Sequence, residues 1–590
     1  MHYLVCAIAA LTLSAVTPVL ADFAGPRYIP PIDLSSNKSA VSAAWRNATS
    51  TIQKALSDRS VNSTFGGVPG LKNVTFSLGL FSLEDPAASK FHFHYTSPEI
   101  VASNGTHKVD ENSIYRTASI TKVFTVLAGL LNLNTTDWDR SLIDVFPALA
   151  EYAKKHPGSD DAINNIQWDK ITLSNLAAHL AGLPANLLLT DIALTATPNP
   201  ILQGYPPVNL SNPRLTSALP VLLNLTATTA LTAANYIPLI EAGMPNFLPW
   251  TQPVYSNNGF ILLTAAIGSI VGKNLSTLSR ESILDPLQMN SSFYTVPASL
   301  SQRSVIVNDA EWQAVAGITE GSGGLSSSIN DLAKFGISIL NSTLLPEDKT
   351  RKWLKPVSLT GRLEYSMGRP WEILRYTHAS GAVTDLYTKA GNSGSYSSYL
   401  VIIPEYNAGF TILAAHSKIA TRNGIVGVLG DLLANTIIPA LEQQARNETA
   451  KSFAGTYTST VQGLNSSVVL AVSNTESAAP GLLIKSFISN GTDFMSVIAT
   501  YYKLGARLTP SILPQKGGKL AFRVATANDA PSIIKRRSLF SGAGTADFLI
   551  GDAATYGGAA VNQWVFQVGS NGIATSLSPT WLDVVLKKTK

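Results

Sequence analysis

The clearest helical periodicity in the chain follows Ser119. Apolar residues recur after it with the spacing of one helix face, namely Val123, Val126, Leu127, Leu130 and Leu131. This 3.6-residue period predicts a buried helix. Ser119 would stand at its N-terminal end, beside free backbone N–H groups and the positive end of the helix dipole. Lys122 lies one turn further on, so the pattern predicts a serine and a lysine on the same face at the start of this helix.

Runs rich in β-branched and aromatic residues predict an antiparallel sheet. Residues 75–82 and 91–95 have the pattern of two hairpin strands. Residues 386–404 are predicted to form a strand, a glycine turn and a second strand, which residues 409–416 extend into a meander. A helix that ends near Gln444 follows, and together these elements indicate an α+β domain.

Segments of the chain differ in composition and periodicity, which divides it into regions. Residues 22–74 are interpreted as an N-terminal extension and residues 75–445 as the main domain. Within the main domain, residues 185–250 are apolar and poorly periodic, which is typical of a lid or substrate wall beside an active site. Residues 446–590 hold short strands between Gly, Asn and Pro turns, and they predict a separate all-β domain, either a barrel or a sandwich.

Composition narrows the class of protein. Over 590 residues the hydrophobic content is 45% and the charged content 14%, which excludes general disorder and leaves room for two domains. The formal charge of +5 is spread along the chain, so no nucleic-acid surface is predicted. No stretch after the N-terminal segment has eighteen uninterrupted apolar residues, and we expect no membrane span.

Residues 1–21 have the pattern of a secretory signal peptide, with an apolar core and small residues at the cleavage position. The only cysteine, Cys6, lies within it, so the mature chain would have no disulfide and no Cys-ligated metal. Fourteen Asn-x-Ser/Thr sequons follow, which together with a signal peptide predict a secreted glycoprotein. Their asparagines are Asn37, Asn47, Asn62, Asn73, Asn104, Asn134, Asn209, Asn224, Asn274, Asn290, Asn341, Asn447, Asn465 and Asn490.

Three short motifs occur in order along the main domain. They are Ser119-Ile-Thr-Lys122, Tyr255-Ser-Asn257 and Lys389-Ala-Gly391. A lysine buried beside a serine loses proton affinity, because a low dielectric disfavours the charged form, and it can then activate the hydroxyl as a nucleophile. One motif alone carries little weight, since residues 35–38 match S-x-x-K in a polar stretch that has nothing to bury it.

Taken together, the three motifs resemble the S-x-x-K, S-D-N and K-T-G set of the serine β-lactamase and penicillin-binding-protein family. The tyrosine in the second motif is similar to class C β-lactamases, DD-peptidases and their esterase relatives. The N-terminal extension and β-rich tail are similar to the secreted fungal branch of β-lactamase-like proteins. The resemblance implies an α/β/α β-lactamase/transpeptidase-like domain with an antiparallel sheet, followed by the small all-β domain.

The resemblance also implies the chemistry. Ser119 would attack an acyl carbonyl and form an acyl-enzyme, while Lys122 and Tyr255 share the proton transfers, either of them as the general base. No G-x-S-x-G and no H-E-x-x-H is present in the sequence, which argues against an α/β-hydrolase and against the common zinc hydrolases.

The remaining motif residues have supporting roles in the same resemblance. Asn257 would position Lys122 and the substrate. Lys389 would favour the phenolate form of the tyrosine and orient a substrate carboxylate. Gly391 would let the substrate approach the strand edge, and the backbone N–H groups of Ser119 and Asn392 would form the oxyanion hole.

Three departures from the family pattern bear on the substrate. Ala390 replaces the usual threonine or serine of K-T-G, Ala181 stands where serine is common, and Trp250 takes the place of a glycine. They argue against efficient β-lactam hydrolysis and favour an ester, amide or D-amino-acid peptide in an apolar pocket. The expected protein is a secreted serine hydrolase that acts on a small-molecule or peptide substrate without a cofactor. An acyltransferase with the same acyl-serine and a non-catalytic binding homologue are the alternatives, and the oligomeric state is not predicted.

His92 and His94 share one face of a predicted strand and have the spacing of metal ligands. The sequence offers no third ligand of suitable spacing nearby. An exposed strand face is therefore the favoured interpretation, and no metal site is predicted.

Overall fold

The computed structural model describes residues 26–58, 60, 63–158, 160–186, 192, 200–209, 211–224, 233–497, 506–526 and 554–589. The predicted signal peptide, Asn62 and part of the 185–250 segment lie outside the described residues. The chain divides into two compact units. The larger unit comprises Ile32–Tyr376 and Asp385–Leu441, and the smaller unit comprises Met1–Pro31, Thr377–Thr384 and Glu442–Lys590.

An antiparallel sheet of eight strands runs through the larger unit in the order β4-β3-β12-β11-β10-β9-β8-β7, and the pairs β1–β2 and β5–β6 form small separate sheets. The predicted hairpin is confirmed as β3 and β4, and the predicted meander as β10, β11 and β12. The strands are β1 Thr64–Phe65, β2 Val68–Pro69, β3 Thr75–Ser82, β4 His92–Tyr95, β5 Tyr115–Arg116, β6 Ser326–Ser327, β7 Ser358–Leu359, β8 Tyr365–Met367, β9 Glu372–Thr377, β10 Val383–Ser393, β11 Tyr396–Ile403 and β12 Ala408–Ala415.

Helices cover both faces of the central sheet, which explains why every residue of β3 and β12 is buried. The helix Ile329–Leu340 lies on one face, so close that a Cβ at Gly336 would overlap the ring of Phe81. The helix Ile419–Phe453 approaches Ile412 on the opposite face, since the register between β3 and β12 turns Phe81 and Ile412 to opposite sides. The expected α/β/α arrangement is confirmed.

The helices follow the local patterns to different degrees. The N-terminal extension contains the helix Ala40–Ser57, and the described part of the poorly periodic 185–250 segment contains two α-helices that its pattern did not predict. The α-helices that begin in the larger unit are Ala40–Ser57, Pro98–Val101, Thr121–Asn132, Leu142–Val145, Pro147–Lys155, Leu173–Ala177, Pro213–Leu223, Ala233–Glu241, Asn257–Val271, Leu275–Ser279, Asp309–Gln313, Glu320–Gly323, Ile329–Leu340, Glu347–Trp353 and Ile419–Phe453.

The smaller unit contains an antiparallel barrel. Its strands follow the order β14-β13-β23-β22-β21-β18-β17-β15, and β14 pairs with β15 to close the ring. This pairing joins the two ends of the eight-strand order to each other, and the aromatic side chains of Tyr457, Phe487, Trp564 and Phe566 are buried in this unit's core. The strands are β13 Gly455–Ser459, β14 Ser467–Ala471, β15 Leu482–Ser489, β16 Thr492–Asp493, β17 Ala506–Pro510, β18 Lys519–Thr526, β19 Thr555–Tyr556, β20 Ala559–Ala560, β21 Gln563–Val568, β22 Ala574–Pro579 and β23 Leu586–Lys588.

Among the described residues, the helix Ile419–Phe453 is long and apolar enough to cross a membrane, judged by length and composition alone, and the bent pair Asn257–Val271 with Leu275–Leu284 passes the same test when taken together. Within the long helix, Ile425, Leu429 and Leu433 are fully buried in protein at four-residue spacing, which is the pattern of a core helix. The length and composition of these helices are therefore only weak evidence for a membrane span.

Gly409 on β12 and Gly427 in the helix Ile419–Phe453 differ in the space around them, which predicts opposite effects when each is changed to alanine. A Cβ at Gly409 would overlap the Val401 carbonyl and the Phe81 ring, whereas a Cβ at Gly427, within a helix, meets open space. We expect Gly409→Ala to lower the free energy of unfolding by about 1–3 kcal/mol, and Gly427→Ala to raise it by about 0.5–1 kcal/mol. Urea unfolding of both variants checks the pair, and a neutral Gly409→Ala would contradict the packing.

Candidate active site

Ser119 lies in a short 3-10 turn, Ala118–Ile120, directly before the buried helix Thr121–Asn132. Ala118 has a left-handed backbone with φ of +47°, a conformation that costs a non-glycine residue on the order of 1 kcal/mol and is found at functional sites. The hydroxyl of Thr121 stabilises the turn, since it donates to the Ala118 carbonyl at 2.5 Å and accepts from the Leu325 N–H at 3.0 Å. The turn presents the Ser119 hydroxyl at the start of the helix, as the sequence predicted.

Lys122 is fully buried beside this hydroxyl. Its Nζ lies 3.0 Å from Ser119 Oγ, 2.8 Å from Asn257 Oδ1 and 2.5 Å from the Ser322 carbonyl oxygen. Burial, helped by the charge of Lys389, holds the pKa of Lys122 well below its ordinary value of 10.5. The geometry and the pKa direction both fit an amine that can take a proton from the serine.

Asn257 is held so that its carbonyl faces Lys122. It is the first residue of the helix Asn257–Val271, and its Nδ2 donates to Asn186 Oδ1 at 2.8 Å. The backbone N–H of Asn257 also donates to the Ala185 carbonyl at 2.8 Å. The sequence predicted the contact with Lys122, but it gave no sign of Asn186, which comes close only through the fold.

Tyr255 precedes the same helix, and its hydroxyl donates to Ser119 Oγ at 2.7 Å. The phenol ring lies between two amines, with Lys122 Nζ 4.9 Å and Lys389 Nζ 5.0 Å from its centroid. Desolvation raises the pKa of Tyr255 above its ordinary value of 10.0, while the charge of Lys389 and the hydrogen bond to Ser119 act in the opposite direction. The net result is a phenol that keeps its proton at neutral pH.

Lys389 is almost fully buried on β10, where its Nζ forms an ion pair with Glu372 and donates to the Ala390 carbonyl at 2.8 Å. The second oxygen of Glu372 accepts from the Ala390 N–H at 2.9 Å. Sequence reasoning missed Glu372, because only the pairing of β9 with β10 brings it to this lysine. The positive charge that was expected to orient a substrate carboxylate is therefore already paired inside the protein.

Gly391 lies at the point where β10 passes the nucleophile. A Cβ at this position would overlap the Thr117 carbonyl and Ser398 Oγ, and it would lie 3.1 Å from the Ser119 nitrogen. The glycine thus lets the strand approach the backbone around Ser119. This packing contact, rather than the expected approach of substrate, is the reason that the structure shows for a glycine here. Asn392 follows on the exposed side of this contact, and its Oδ1 accepts from Ser397 Oγ at 2.6 Å.

His179 is a second residue to which sequence reasoning assigned no role. Its ring is stacked on Tyr255 with centroids 4.4 Å apart, and its Nδ1 accepts the Ser256 N–H at 3.1 Å. The residue is buried and has a left-handed backbone with φ of +57°. Burial, followed by the charges of Lys122 and Lys389, holds the pKa of His179 well below 6.5. A neutral imidazole therefore packs against one face of the Tyr255 ring.

The sheet, the two covering helices and this group of side chains define a β-lactamase/transpeptidase-like domain. The profile of the Beta-lactamase family matches residues 95–423, and the chain belongs to that family. A second profile, described as Beta-lactamase-like-like, C-terminal domain, matches residues 445–590.

Curated relatives agree with this family. A Beta-lactamase-like protein of Arthroderma benhamiae is 28% identical over 471 residues, which cover 78% of this chain and 73% of that protein. The Probable hydrolase clz13 of Cochliobolus lunatus is 26% identical, covering 69% of this chain and 66% of its own length. The D-alanyl-D-alanine-carboxypeptidase/endopeptidase AmpH of Escherichia coli (strain K12) is 24% identical, covering 55% and 76% respectively.

The stacking of His179 on Tyr255 predicts that His179 positions the phenol. His179→Ala removes both the stack and the acceptor for Ser256, and we expect the maximal rate of Ser119 labelling by a fluorophosphonate to fall about 10²-fold, the scale of a 1 Å misplacement. His179→Asn should retain more of the rate, because asparagine tolerates a left-handed backbone and offers a carbonyl acceptor. His107→Ala, at an exposed histidine, is the control. Equal losses in both His179 variants would contradict this role.

Proposed function

We propose that this protein is a secreted serine hydrolase that cleaves an ester or amide through an acyl-enzyme on Ser119. One observation carries the proposal: Ser119 Oγ lies 3.0 Å from the buried amine of Lys122 and 2.7 Å from the hydroxyl of Tyr255. A nucleophile within hydrogen-bond reach of two proton-transfer groups is the arrangement that covalent catalysis requires. Membership of the beta-lactamase family supports hydrolytic chemistry.

Lys122 is the better choice as general base for acylation. An uncharged Lys122 donates its two N–H bonds to Asn257 Oδ1 and the Ser322 carbonyl, and its lone pair then faces the Ser119 hydroxyl. As Ser119 Oγ bonds to the acyl carbon, its proton passes to Lys122. Tyr255 gives its proton to the leaving oxygen or nitrogen as the acyl bond breaks, and it regains a proton from Lys122.

Deacylation uses the same groups in reverse. Water adds to the acyl carbon while Lys122 or Tyr255 accepts its proton, and Ser119 leaves with a proton returned to it. The negative oxygen that forms in each step would be stabilised by the backbone N–H groups of Ser119 and Asn392, an interaction of about 3 kcal/mol per donor. The close passage of β10 at Gly391 supports this pairing of donors.

The substrate is proposed to carry an apolar group. Met244, Phe247, Leu248 and Trp250 expose 45–47% of their surface on the segment that leads into Tyr255. Backbone hydrogen bonds from Trp250 to Leu180 and from Val254 to His179 hold this segment beside the site. Trp250 has a left-handed φ of +69°, which explains why glycine is usual there and suggests that the indole is kept for contact with substrate.

Covalent labelling tests the nucleophile. We expect a fluorophosphonate to add one adduct per chain, lost in Ser119→Ala and slowed at least 10²-fold in Lys122→Ala. Ser35→Ala is the matched control, because Ser35 begins the chance S-x-x-K match and should leave labelling unchanged. Intact mass gives the adduct, and an adduct that survives Ser119→Ala would overturn the proposal.

A substrate panel then defines the reaction. p-Nitrophenyl esters, nitrocefin and D-Ala peptides separate the candidate substrate classes, and we expect apolar esters to be turned over faster than nitrocefin. Product analysis with and without an added alcohol separates hydrolysis from acyl transfer, since a transferase would convert most of the acyl group to the new ester.

The pKa directions predict the pH dependence of labelling. Lys122 must lose its proton, so the rate should rise through a pKa below 10.5, and it should fall as Tyr255 ionises above 10.0. In Tyr255→Phe we expect the alkaline fall to vanish while the rise remains, at a rate reduced about 10²–10⁴-fold. Loss of the acidic limb in Tyr255→Phe would instead assign the base to the phenol.

Secretion and glycosylation are proposed on the signal-peptide pattern and on exposure. All thirteen sequon asparagines among the described residues are exposed, whereas ten of the other twenty described asparagines are not. Expression with residues 1–21 in a secreting eukaryotic host should release a protein whose mass falls on treatment with peptide N-glycosidase. The same chain expressed without residues 1–21 is the control. Retention in the cell, or an unchanged mass, would contradict the proposal.

A further inference from the structure

A second group of polar side chains lies at the edge of the central sheet. His92 and His94 point to the same side of the edge strand β4, and Glu111 reaches them from the loop before β5. One ligand atom from each residue lies within 4.8 Å of the other two. The loop is anchored where the Glu111 carbonyl accepts the Asn330 N–H at 3.1 Å. The fold thus supplies the third ligand that the sequence did not reveal.

The surroundings of His94 engage one of its two ring nitrogens. Its Nδ1 lies 2.8 Å from Ser77 Oγ, which lies 2.9 Å from the Tyr115 hydroxyl. In the tautomer in which Nδ1 donates to Ser77, His94 Nε2 presents a bare lone pair. That atom is buried and has no hydrogen-bond partner among the described residues. Metal-bound histidines commonly donate their other ring N–H in this way.

We propose that His92, His94 and Glu111 bind a divalent transition-metal ion, with Zn²⁺ as the best fit. Two imidazole nitrogens and one carboxylate oxygen form a donor set typical of zinc. Tetrahedral bonds of about 2.0–2.2 Å place ligand atoms about 3.4 Å apart, so these atoms must close by up to about 1.4 Å, a shift that the long side chain of Glu111 allows. A bound ion would give His94 Nε2 the partner it lacks.

The electrostatics agree with this geometry. The carboxylates of Glu111 and Asp110 both interact electrostatically with His94. The two carboxylates offset the charge of the ion. The metal would tie β4 to the loop that leads through Tyr115 to Ser119, a structural role separate from the proposed acyl chemistry.

Zinc binding by the full chain, produced without a histidine tag and stripped with EDTA, tests the proposal. Titration calorimetry with Zn²⁺ alone should give one ion per chain and a raised Tm. Glu111→Gln, which keeps the shape of the side chain, should weaken binding 10- to 100-fold, and His94→Gln at least as much. His107→Gln and Ser119→Ala should bind as the unchanged chain does.

Each result of these binding measurements either supports the metal site or overturns it. Binding lost in Glu111→Gln, with the apo Tm unchanged, supports the site even where a histidine variant fails to fold. Absence of Zn²⁺ binding by the unchanged chain overturns the proposal. Binding that is as strong in Glu111→Gln and in His94→Gln as in the unchanged chain also overturns it. Because Ser119→Ala serves as a control here, failure of the acyl-enzyme proposal would not affect this result.

Discussion

The active-site group depends on the burial of one amine. Removing an ammonium from water costs several kcal/mol even after the protein relaxes, yet Lys122 is fully buried. The protein lowers this cost by favouring the neutral form and by directing two carbonyl oxygens at the nitrogen, from Asn257 and Ser322. The same neutral form leaves a lone pair toward Ser119. The burial that costs stability is thus also the feature that, in the proposed mechanism, would give Ser119 its proton acceptor.

The two lysines of the site have contrasting surroundings. Lys389 is buried as well, but it forms an ion pair with Glu372, and its charge acts on Lys122 and Tyr255 from a fixed position. Among the described residues, no carboxylate lies in hydrogen-bond contact with Lys122. One amine is therefore held in an ion pair, while the other faces the serine hydroxyl. This division of roles follows from the placement of Glu372 on the strand next to β10.

Backbone geometry sets the distances at which this chemistry can work. The left-handed turn at Ala118 and the missing side chain at Gly391 bring the helix start and the strand together. The left-handed residues His179 and Trp250 shape the wall on the tyrosine side. Each of these conformations carries a local cost, and such costs persist where the surrounding structure fixes them. In this protein these conformations are concentrated around the hydroxyl of Ser119.

Much of the fold was accessible from local pattern. The helix after Ser119, the β3–β4 hairpin and the β10–β12 meander follow from 3.6-residue and two-residue periodicity, because these periods reflect which face is buried. The 185–250 segment was not accessible in the same way. Its helices Pro213–Leu223 and Ala233–Glu241 contain internal prolines, and proline is strongly unfavourable inside a helix, so local pattern argues against a helix there.

What the sequence by itself determined is the set of motif residues and their order, since Ser119 with Lys122, and Tyr255 with Asn257, are neighbours along the chain and carry their chemistry locally. Only the tertiary structure decided which residues from elsewhere join them: Glu372 on Lys389, His179 behind Tyr255, and Glu111 beside the two histidines of β4. These contacts link positions far apart in the chain. Their formation depends on strand order and packing, and no periodicity in a single segment records either.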